Sequence, residues 1–278
     1  MEKLQKLKEI IGAYHSAVIA FSGGVDSTFL ARVARDVLGD KLLLLTATSS
    51  SYPFHELEEA KKFAAQMGVA QRVIVSEEID IPGYSDNPPD RCYYCKSELF
   101  TLVKHIAEKD NYEAVFDGSN ADDTGDFRPG MRAAKELGVI SPLKLAGLTK
   151  NDIRTYSREY NLPTADKPSY ACLASRFPYG IKITTEKLER VGRAEVYVRR
   201  LGFTQFRVRD HDGLARLEFA PGEMDKAWDL RAHIKKICKD AGYTYVSIDV
   251  EGYRTGAMNE VLTAEARVAQ LEKPQAPA

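Results

Sequence analysis

The chain reads as an α/β protein in which a parallel sheet covered by helices is followed by a smaller α/β domain. Three observations predict this. Short, continuous apolar runs alternate with helical stretches through the first two-thirds. A Gly-Gly turn joins the first run to a helix. After about Thr184 the order changes to helix, strand, strand, helix, strand. Apolar runs without alternation mark strands buried on both faces, which is the signature of a parallel sheet. Ligands of such sheets sit beyond the carboxyl ends of the strands.

The elements follow in order. Ala17-Val18-Ile19-Ala20-Phe21 is the first strand, and the helix after its glycines runs from about Asp26 to Leu38. Lys41 to Thr46, with four consecutive leucines, is the second strand; His55 to Met67 is helical and stops at Gly68. Arg72 to Val75 and Ala114-Val115-Phe116-Asp117 are the third and fourth strands. A loop at 81–89 rich in Pro, Asp and Gly delivers Cys92 and Cys95, and an irregular stretch from Leu162 to Gly180 carries Cys172. Beyond it come a helix (Thr185 to Leu201), strands Gln205–Arg209 and Leu214–Phe219, a helix (Met224 to Ala241) and a strand (Tyr245 to Val250). That order predicts an antiparallel pair in the second domain. The expected partition is 1–183, 184–270 and a disordered tail at 271–278, which contains two prolines.

Composition narrows the class. With 278 residues, 44% of them hydrophobic, the chain can bury a real core. Its 39 basic and 40 acidic residues leave a net charge of −1, so no broad basic footprint for nucleic acid is expected. No apolar run approaches the roughly 20 residues that span a bilayer. The N-terminus reads as an amphipathic helix and not as a signal peptide. The expected compartment is the cytoplasm, where four cysteines suggest metal or catalysis more than disulfides.

The segment Ser22-Gly23-Gly24-Val25-Asp26-Ser27-Thr28 lies between a strand and a helix. Two glycines let the backbone turn so that successive N–H groups converge on an anion, and the helix N-terminus adds donors. Ser22, Ser27 and Thr28 offer hydroxyls, and Asp26 can hold Mg²⁺ or cap the helix. No lysine follows, so the GxxxxGK[ST] pattern is excluded. The segment resembles the SGGxDS motif of the PP-loop ATP pyrophosphatases, which implies the adenine nucleotide α-hydrolase-like fold, ATP binding and release of pyrophosphate. A second loop, Asp117-Gly118-Ser119-Asn120-Ala121-Asp122-Asp123, follows the fourth strand. Gly118 allows close approach to a ligand, and Asp122 and Asp123 offer carboxylates to Mg²⁺, unless the segment is an acidic surface turn. The resemblance also places Thr46 and Thr48 beside the adenine.

Cys92-Tyr93-Tyr94-Cys95 has the C-x₂-C spacing that sets two sulfurs on one ion or cluster. Alone it could mark zinc, a redox pair or coincidence. With Cys172 it makes three thiols, one short of a structural zinc set. Three suit a four-iron, four-sulfur cluster whose remaining iron stays open; the plain alternative is packed, unconnected thiols. Cys238 falls with Ala227, Leu230, Ile234, Ile237 and Ala241 on one helical face and reads as core. The histidines form no ligand pattern, and His211 between Asp210 and Asp212 reads as part of a turn.

Ala171-Cys172-Leu173-Ala174-Ser175-Arg176-Phe177-Pro178-Tyr179-Gly180 resembles the LarE sulfur transferases. The likeness extends to the phosphate loop, the 117–123 segment, Asp126-Phe127-Arg128-Pro129-Gly130 and the C-terminal domain. It implies an enzyme that adenylylates a carboxylate of a pyridinium dicarboxylate mononucleotide and replaces oxygen by sulfur, toward a nickel-pincer cofactor. It also implies a sulfur donor, such as sulfide or cysteine-derived sulfur, and assembly as a homo-oligomer. In the one-cysteine members, the residue matching Cys172 gives up its own sulfur; Cys92 and Cys95 match the three-cysteine branch, where a cluster carries it. Arg207 and Arg209 stand two apart on one strand and so face one side. The resemblance assigns them, with Arg254, to the substrate phosphate, a task suited to arginine forks. Glu195 matches an acidic residue near the reacting atoms; otherwise it is a solvated helix charge. Three other readings stay open: a PP-loop enzyme that thiolates transfer RNA, an ammonia-using amidotransferase such as an NAD synthetase, which would leave the three cysteines without a role, and a nucleotide-binding iron–sulfur sensor without catalysis.

Overall fold

A computed structural model describes residues 2–52, 54–125, 129–168 and 171–262. The expected tail at 271–278 and the residues 126–128 of the Asp126–Gly130 motif lie outside the described residues. The chain forms two compact units, Met1–Glu78 with Cys92–Tyr170, and Ile79–Arg91 with Ala171–Ala278. The smaller unit thus takes in residues 79–91 and 171–183 ahead of its first long helix.

In the larger unit the elements run α1 (Glu2–Gly12), β1 (Ala17–Ala20), α2 (Val25–Leu38), β2 (Leu42–Thr48), α3 (Phe54–Gln66) and β3 (Ala70–Val75). Then follow α4 (Arg91–Lys109), β4 (Ala114–Phe116), α5 (Pro129–Glu136), α6 (Pro142–Leu145) and α7 (Lys150–Glu159). The sheet is wholly parallel in the order β3-β2-β1-β4, with Ala17 paired to both Leu42 and Ala114. Successive strand residues face opposite sides, and both sides are apolar here. Ile19, Leu42, Leu44 and Phe116 pack with Leu7, Phe29, Leu30 and Phe63. Val18, Leu43, Leu45 and Val115 pack with Phe100, Val103 and Ala107 of α4. Each such fully buried side chain contributes about 1.5–3 kcal/mol. The edge strand β3 is far more exposed, with Val75 at 69%.

Helix α7 begins with a capping box in which Thr149 and Asp152 satisfy each other's backbone N–H. No helix among the described residues is long and apolar enough to cross a membrane.

The smaller unit contains α8 (Thr185–Arg200), β5 (Phe206–His211), β6 (Leu214–Phe219), α9 (Met224–Asp229), α10 (Arg231–Ala241) and β7 (Tyr245–Ile248). Strands β5 and β6 are antiparallel, and β6 and β7 parallel. The hairpin turns at Asp212 and Gly213, both with positive φ (52° and 101°), the conformation an Asp-Gly pair favours. His211 ends β5 and pairs with Leu214, so it stands at the edge of that turn. The expected helix from Met224 to Ala241 is two helices meeting at Leu230. Cys238, Ala227, Ile234 and Ala241 are buried as expected, whereas Leu230 and Ile237 are half-buried. Residues 79–91 join this unit through Asn87, whose side-chain amide donates to the carbonyls of Phe177 (3.3 Å) and Pro178 (2.7 Å).

Candidate active site

The phosphate loop leaves the carboxyl end of β1. Gly23 has φ of +67°, and a Cβ there would lie 2.9 Å from Ala60 Cβ, so the tight approach of α3 admits only glycine. Gly24 is the N-cap of α2 and its end carries no side-chain cap. The cap role considered for Asp26 is therefore not the one it has. Asp26 lies in the first turn, with one carboxylate oxygen (Oδ2) held by the Lys150 ammonium at 2.6 Å. Its other oxygen, Oδ1, is buried with no hydrogen-bond partner among the described residues. An orphaned buried carboxylate oxygen beside a phosphate loop fits a cation, so Asp26 suits Mg²⁺.

Ser22 and Ser27 hydroxyls lie 3.1 Å apart, and Ser22 Oγ also accepts from Gly24 N–H at 3.4 Å. Thr28 is 1% exposed with its hydroxyl unpartnered among the described residues, and it lines a cavity of about 370 Å³ with Arg32, Phe63, Met67 and Tyr160. Gly118 comes against the same loop, since a Cβ there would meet Ser27 N at 3.2 Å. The glycine of the second loop thus serves close packing of two loops. Asp122 accepts from Lys150 N–H (2.8 Å) and Asp123 from Asn120 N–H (2.8 Å), so each has a backbone to hold. Thr46 is fully buried and donates to the Phe21 carbonyl at 2.8 Å, while Thr48 ends β2 half-buried.

Cys92 and Cys95 are not on a loop. They lie in the first two turns of α4, where three-residue spacing places them on one helical face. Asp90, a good N-cap residue type, stands immediately before the helix, but the Pro-rich run ahead of it and the opening Arg91-Cys92-Tyr93-Tyr94, which shows no apolar stripe, concealed this start. Cys92 is exposed, Cys95 half-buried, and neither is in a disulfide. Cys95 Sγ lies 3.7 Å from Glu78 Oε1, and Glu78 Oε2 accepts from Ser51 at 3.2 Å, so the Glu78 carboxylate bridges this thiol to the loop that follows β2. Gly130 lets α5 begin against α4: a Cβ there would lie 3.3 Å from the Cys92 carbonyl.

In the smaller unit Cys172 is exposed and precedes a short 3₁₀ turn at Leu173–Arg176. Arg176 is fully buried and holds that turn, donating to the carbonyls of Ala171 (2.9 Å) and Cys172 (3.2 Å). Its Nε and Nη2 grip Glu195 at 2.8 and 2.9 Å. Glu195 is therefore no solvated helix charge; it is buried and also accepts from Val208 N–H at 3.1 Å. Burial pushes its carboxyl upward, but Arg176, with the Val208 N–H and the Arg207 charge, makes the net shift downward. Arg207 and Arg209 are both buried on β5. Arg209 donates to the Ser175 carbonyl and to Glu218, each at 2.7 Å, and Arg207 stacks 4.9 Å over the Tyr253 ring. Burial, then the Arg176 charge, lowers the pKa of Arg207 to about 10. Arg254 is half-buried and paired with Glu251 and Glu260.

Among the described residues no three His, Cys, Asp or Glu side chains converge as a metal site. The cluster reading rests on donor chemistry: three thiols outside any disulfide, two of them one helical turn apart. Sequence reasoning missed Lys150 and Lys167, which meet the phosphate-loop segment from 124 and 144 positions away, and gave Arg176 no role although it stands in the Cys172 motif.

A family model described as NAD synthase matches residues 3–85, the part that holds the phosphate loop. The chain is 45% identical over 94% of its length to protein slr1717 of Synechocystis, covering 98% of that protein. It is 33% identical to pyridinium-3,5-bisthiocarboxylic acid mononucleotide synthase of Lactiplantibacillus plantarum, over 88% of this chain and 89% of that one. It is 31% identical to protein MJ0830 of Methanocaldococcus jannaschii over 92% of its length and 98% of the relative's. With the phosphate loop, the parallel sheet and the Cys172 motif all present, the chain belongs to the family of LarE-type, ATP-using PP-loop sulfur transferases.

Proposed function

We propose that the chain adenylylates a carboxylate of a pyridinium dicarboxylate mononucleotide and replaces one oxygen by sulfur, releasing pyrophosphate and AMP. The observation that carries this reading is the phosphate loop with its orphaned Asp26 oxygen, in a chain one-third identical to a synthase of the bisthiocarboxylic mononucleotide.

ATP phosphates dock on Ser22–Thr28, and Asp26, with Asp122 and Asp123 nearby in the second loop, would hold Mg²⁺. A substrate carboxylate oxygen attacks the α-phosphorus; the bond to the bridging oxygen breaks and pyrophosphate leaves with its electron pair. A carboxylate oxygen, a very poor leaving group, becomes part of AMP. Positioning and charge neutralisation are the main contributions of the chain. A thiolate then adds to the acyl carbon and expels AMP, the ionised form being the nucleophile. Where Cys172 is the donor, the thioester formed loses its cysteine Cα proton and the Cβ–S bond breaks. That leaves the thiocarboxylate on the product and dehydroalanine at 172. Cys92, Cys95 and Cys172 would alternatively hold a four-iron, four-sulfur cluster, which when bound supplies sulfur that the chain does not lose. Buried Arg207 and Arg209, with Arg254, would hold the substrate phosphate, and Glu195 acts by orienting Arg176. Work in the cytoplasm as a homo-oligomer belongs to the same proposal.

Incubation with ATP, Mg²⁺ and the mononucleotide, followed by pyrophosphate assay and mass spectrometry of product and protein, tests it. Substrate-dependent pyrophosphate and a sulfurated product are expected, both lost in Asp26→Ala and Ser27→Ala. A protein lighter by one hydrogen sulfide at Cys172 marks the sacrificial route. Full pyrophosphate release by both variants would exclude adenylylation at this loop.

A further inference from the structure

Two side chains hold the phosphate loop by its carbonyls. The Tyr52 hydroxyl donates to the Ser22 carbonyl at 2.9 Å, and the Lys167 ammonium donates to the Gly23 carbonyl at 3.3 Å. No peptide bond of the described chain is cis. In a trans peptide the carbonyl and the following N–H point in opposite directions. Holding the Ser22 carbonyl therefore aims the Gly23 N–H away from Tyr52, and holding the Gly23 carbonyl aims the Gly24 N–H away from Lys167. Those two N–H groups open the run of donors that an anion nest needs, the Gly24 N–H resting meanwhile on a long 3.4 Å contact to Ser22 Oγ that a phosphate oxygen can replace.

Both clamps are themselves fixed. Lys167 is 12% exposed and pairs with Glu56 and Glu59, each at 2.7 Å, with the Phe63 ring 5.6 Å away. All three of its donors are thus engaged, two on α3 and one on the loop. Glu56 is 5% exposed. Burial, with Glu56 and Glu59 acting in the same direction, pushes the Tyr52 hydroxyl pKa well up, so it remains a donor. Ala60 of the same helix lies close against Gly23, 2.9 Å from where a Cβ would stand. One face of α3 thus anchors the loop through a lysine 144 positions from the carbonyl it holds.

We infer that Tyr52 and Lys167 are positioning residues for the pyrophosphate-bearing end of ATP, presetting the Gly23 and Gly24 N–H groups without touching the ligand. This rests on the ATP-site reading above. A loop with no lysine of its own gains its order from these carbonyl clamps, so the ligand does not have to impose it.

The test is calorimetric binding of pyrophosphate, ATP and adenosine, without acceptor acid, to the full chain and to Tyr52→Phe, Lys167→Met and Lys167→Arg. Tyr52→Phe removes one hydroxyl and keeps the ring, so it serves even where Lys167→Met folds poorly. Tyr52→Phe and Lys167→Met are each expected to weaken pyrophosphate and ATP by about three- to tenfold while adenosine is unchanged. Lys167→Arg, which keeps a donor, is expected to recover most of the loss. Wild-type protein that binds no pyrophosphate sinks the ATP-site reading itself. Normal wild-type binding with unchanged variants sinks the clamp alone. Equal loss of adenosine and pyrophosphate marks a merely structural role, and also overturns it. A salt dependence flattened only in Lys167→Met marks direct phosphate contact and overturns positioning for that residue.

Discussion

Arg176 and Glu195 form a two-pronged ion pair at 2.8 and 2.9 Å, buried to 0% and 5% exposure, on which the turn carrying Cys172 is hung. Neither partner has water to fall back on, so each is tolerable only beside the other.

Glu195→Gln should therefore cost about 3–5 kcal/mol, because it strands a buried guanidinium. The pH dependence has a definite sign. Glu195 titrates lower in the folded chain than in the unfolded one. The stability it contributes is complete above the ordinary glutamate pKa and fades as pH falls through its depressed folded value. Urea unfolding at pH 7 and in the acid range should show the wild-type advantage over Glu195→Gln shrinking with acid. An advantage constant over that range would exclude this linkage.

A second prediction concerns Arg207, lowered to about 10 first by burial and then by Arg176. Its charge is a cost below that pH, and a bound phosphate would relieve it. Inorganic phosphate or a nucleoside monophosphate should stabilise the fold by about 2.7 kcal/mol at a hundred times the dissociation constant, and so raise the melting temperature. Arg207→Met should abolish that rise while leaving ligand-free stability near wild type. Differential scanning calorimetry with and without phosphate reads both.

Gly23→Ala should lose nucleotide binding and about 1–3 kcal/mol, since alanine at φ +67° is strained and its methyl meets Ala60 at 2.9 Å. Gly252→Ala should destabilise the loop bearing Arg254, because its methyl would lie 2.6 Å from the Phe219 carbonyl at φ +70°. Gly39→Ala, with nothing within 4 Å but φ +60°, isolates the conformational cost. Chemical unfolding of the three variants separates strain from clash.

Thiol chemistry supplies a fourth test. Cys92 and Cys172 are exposed and Cys95 half-buried, whereas burial pushes the Cys238 thiol up to about 12. Native metal-free protein should label rapidly at the first three and at Cys238 only on unfolding. Labelling of Cys238 at the rate of Cys172 would contradict its place in the core. Protection of Cys92, Cys95 and Cys172 together after anaerobic iron and sulfide loading is expected if they ligate a cluster.

Much of this was legible in one dimension. An uninterrupted apolar run such as Leu42–Leu45 has to be covered on both faces, and the two cores on either side of the sheet are the result. Asp212-Gly213 between two apolar runs carries its own turn geometry. The start of α4 was not read, although Asp90 is a fitting N-cap, because Pro-rich sequence runs up to it and the first turn, Arg91–Tyr94, carries no apolar periodicity. Nor was the break at Leu230, since the buried positions continue across it in near-helical register.

The sequence by itself determined the strands, the glycine turn that can receive an anion, and the cysteines available for sulfur chemistry, because each depends on neighbours within a few residues. Only the tertiary structure decided that Lys150 answers Asp26, Lys167 holds Gly23, and Arg176 rather than solvent meets Glu195. A hydrogen bond acts over about 3 Å. Which distant residues come within that span is set by sheet order and helix packing, and no local pattern in the chain records it.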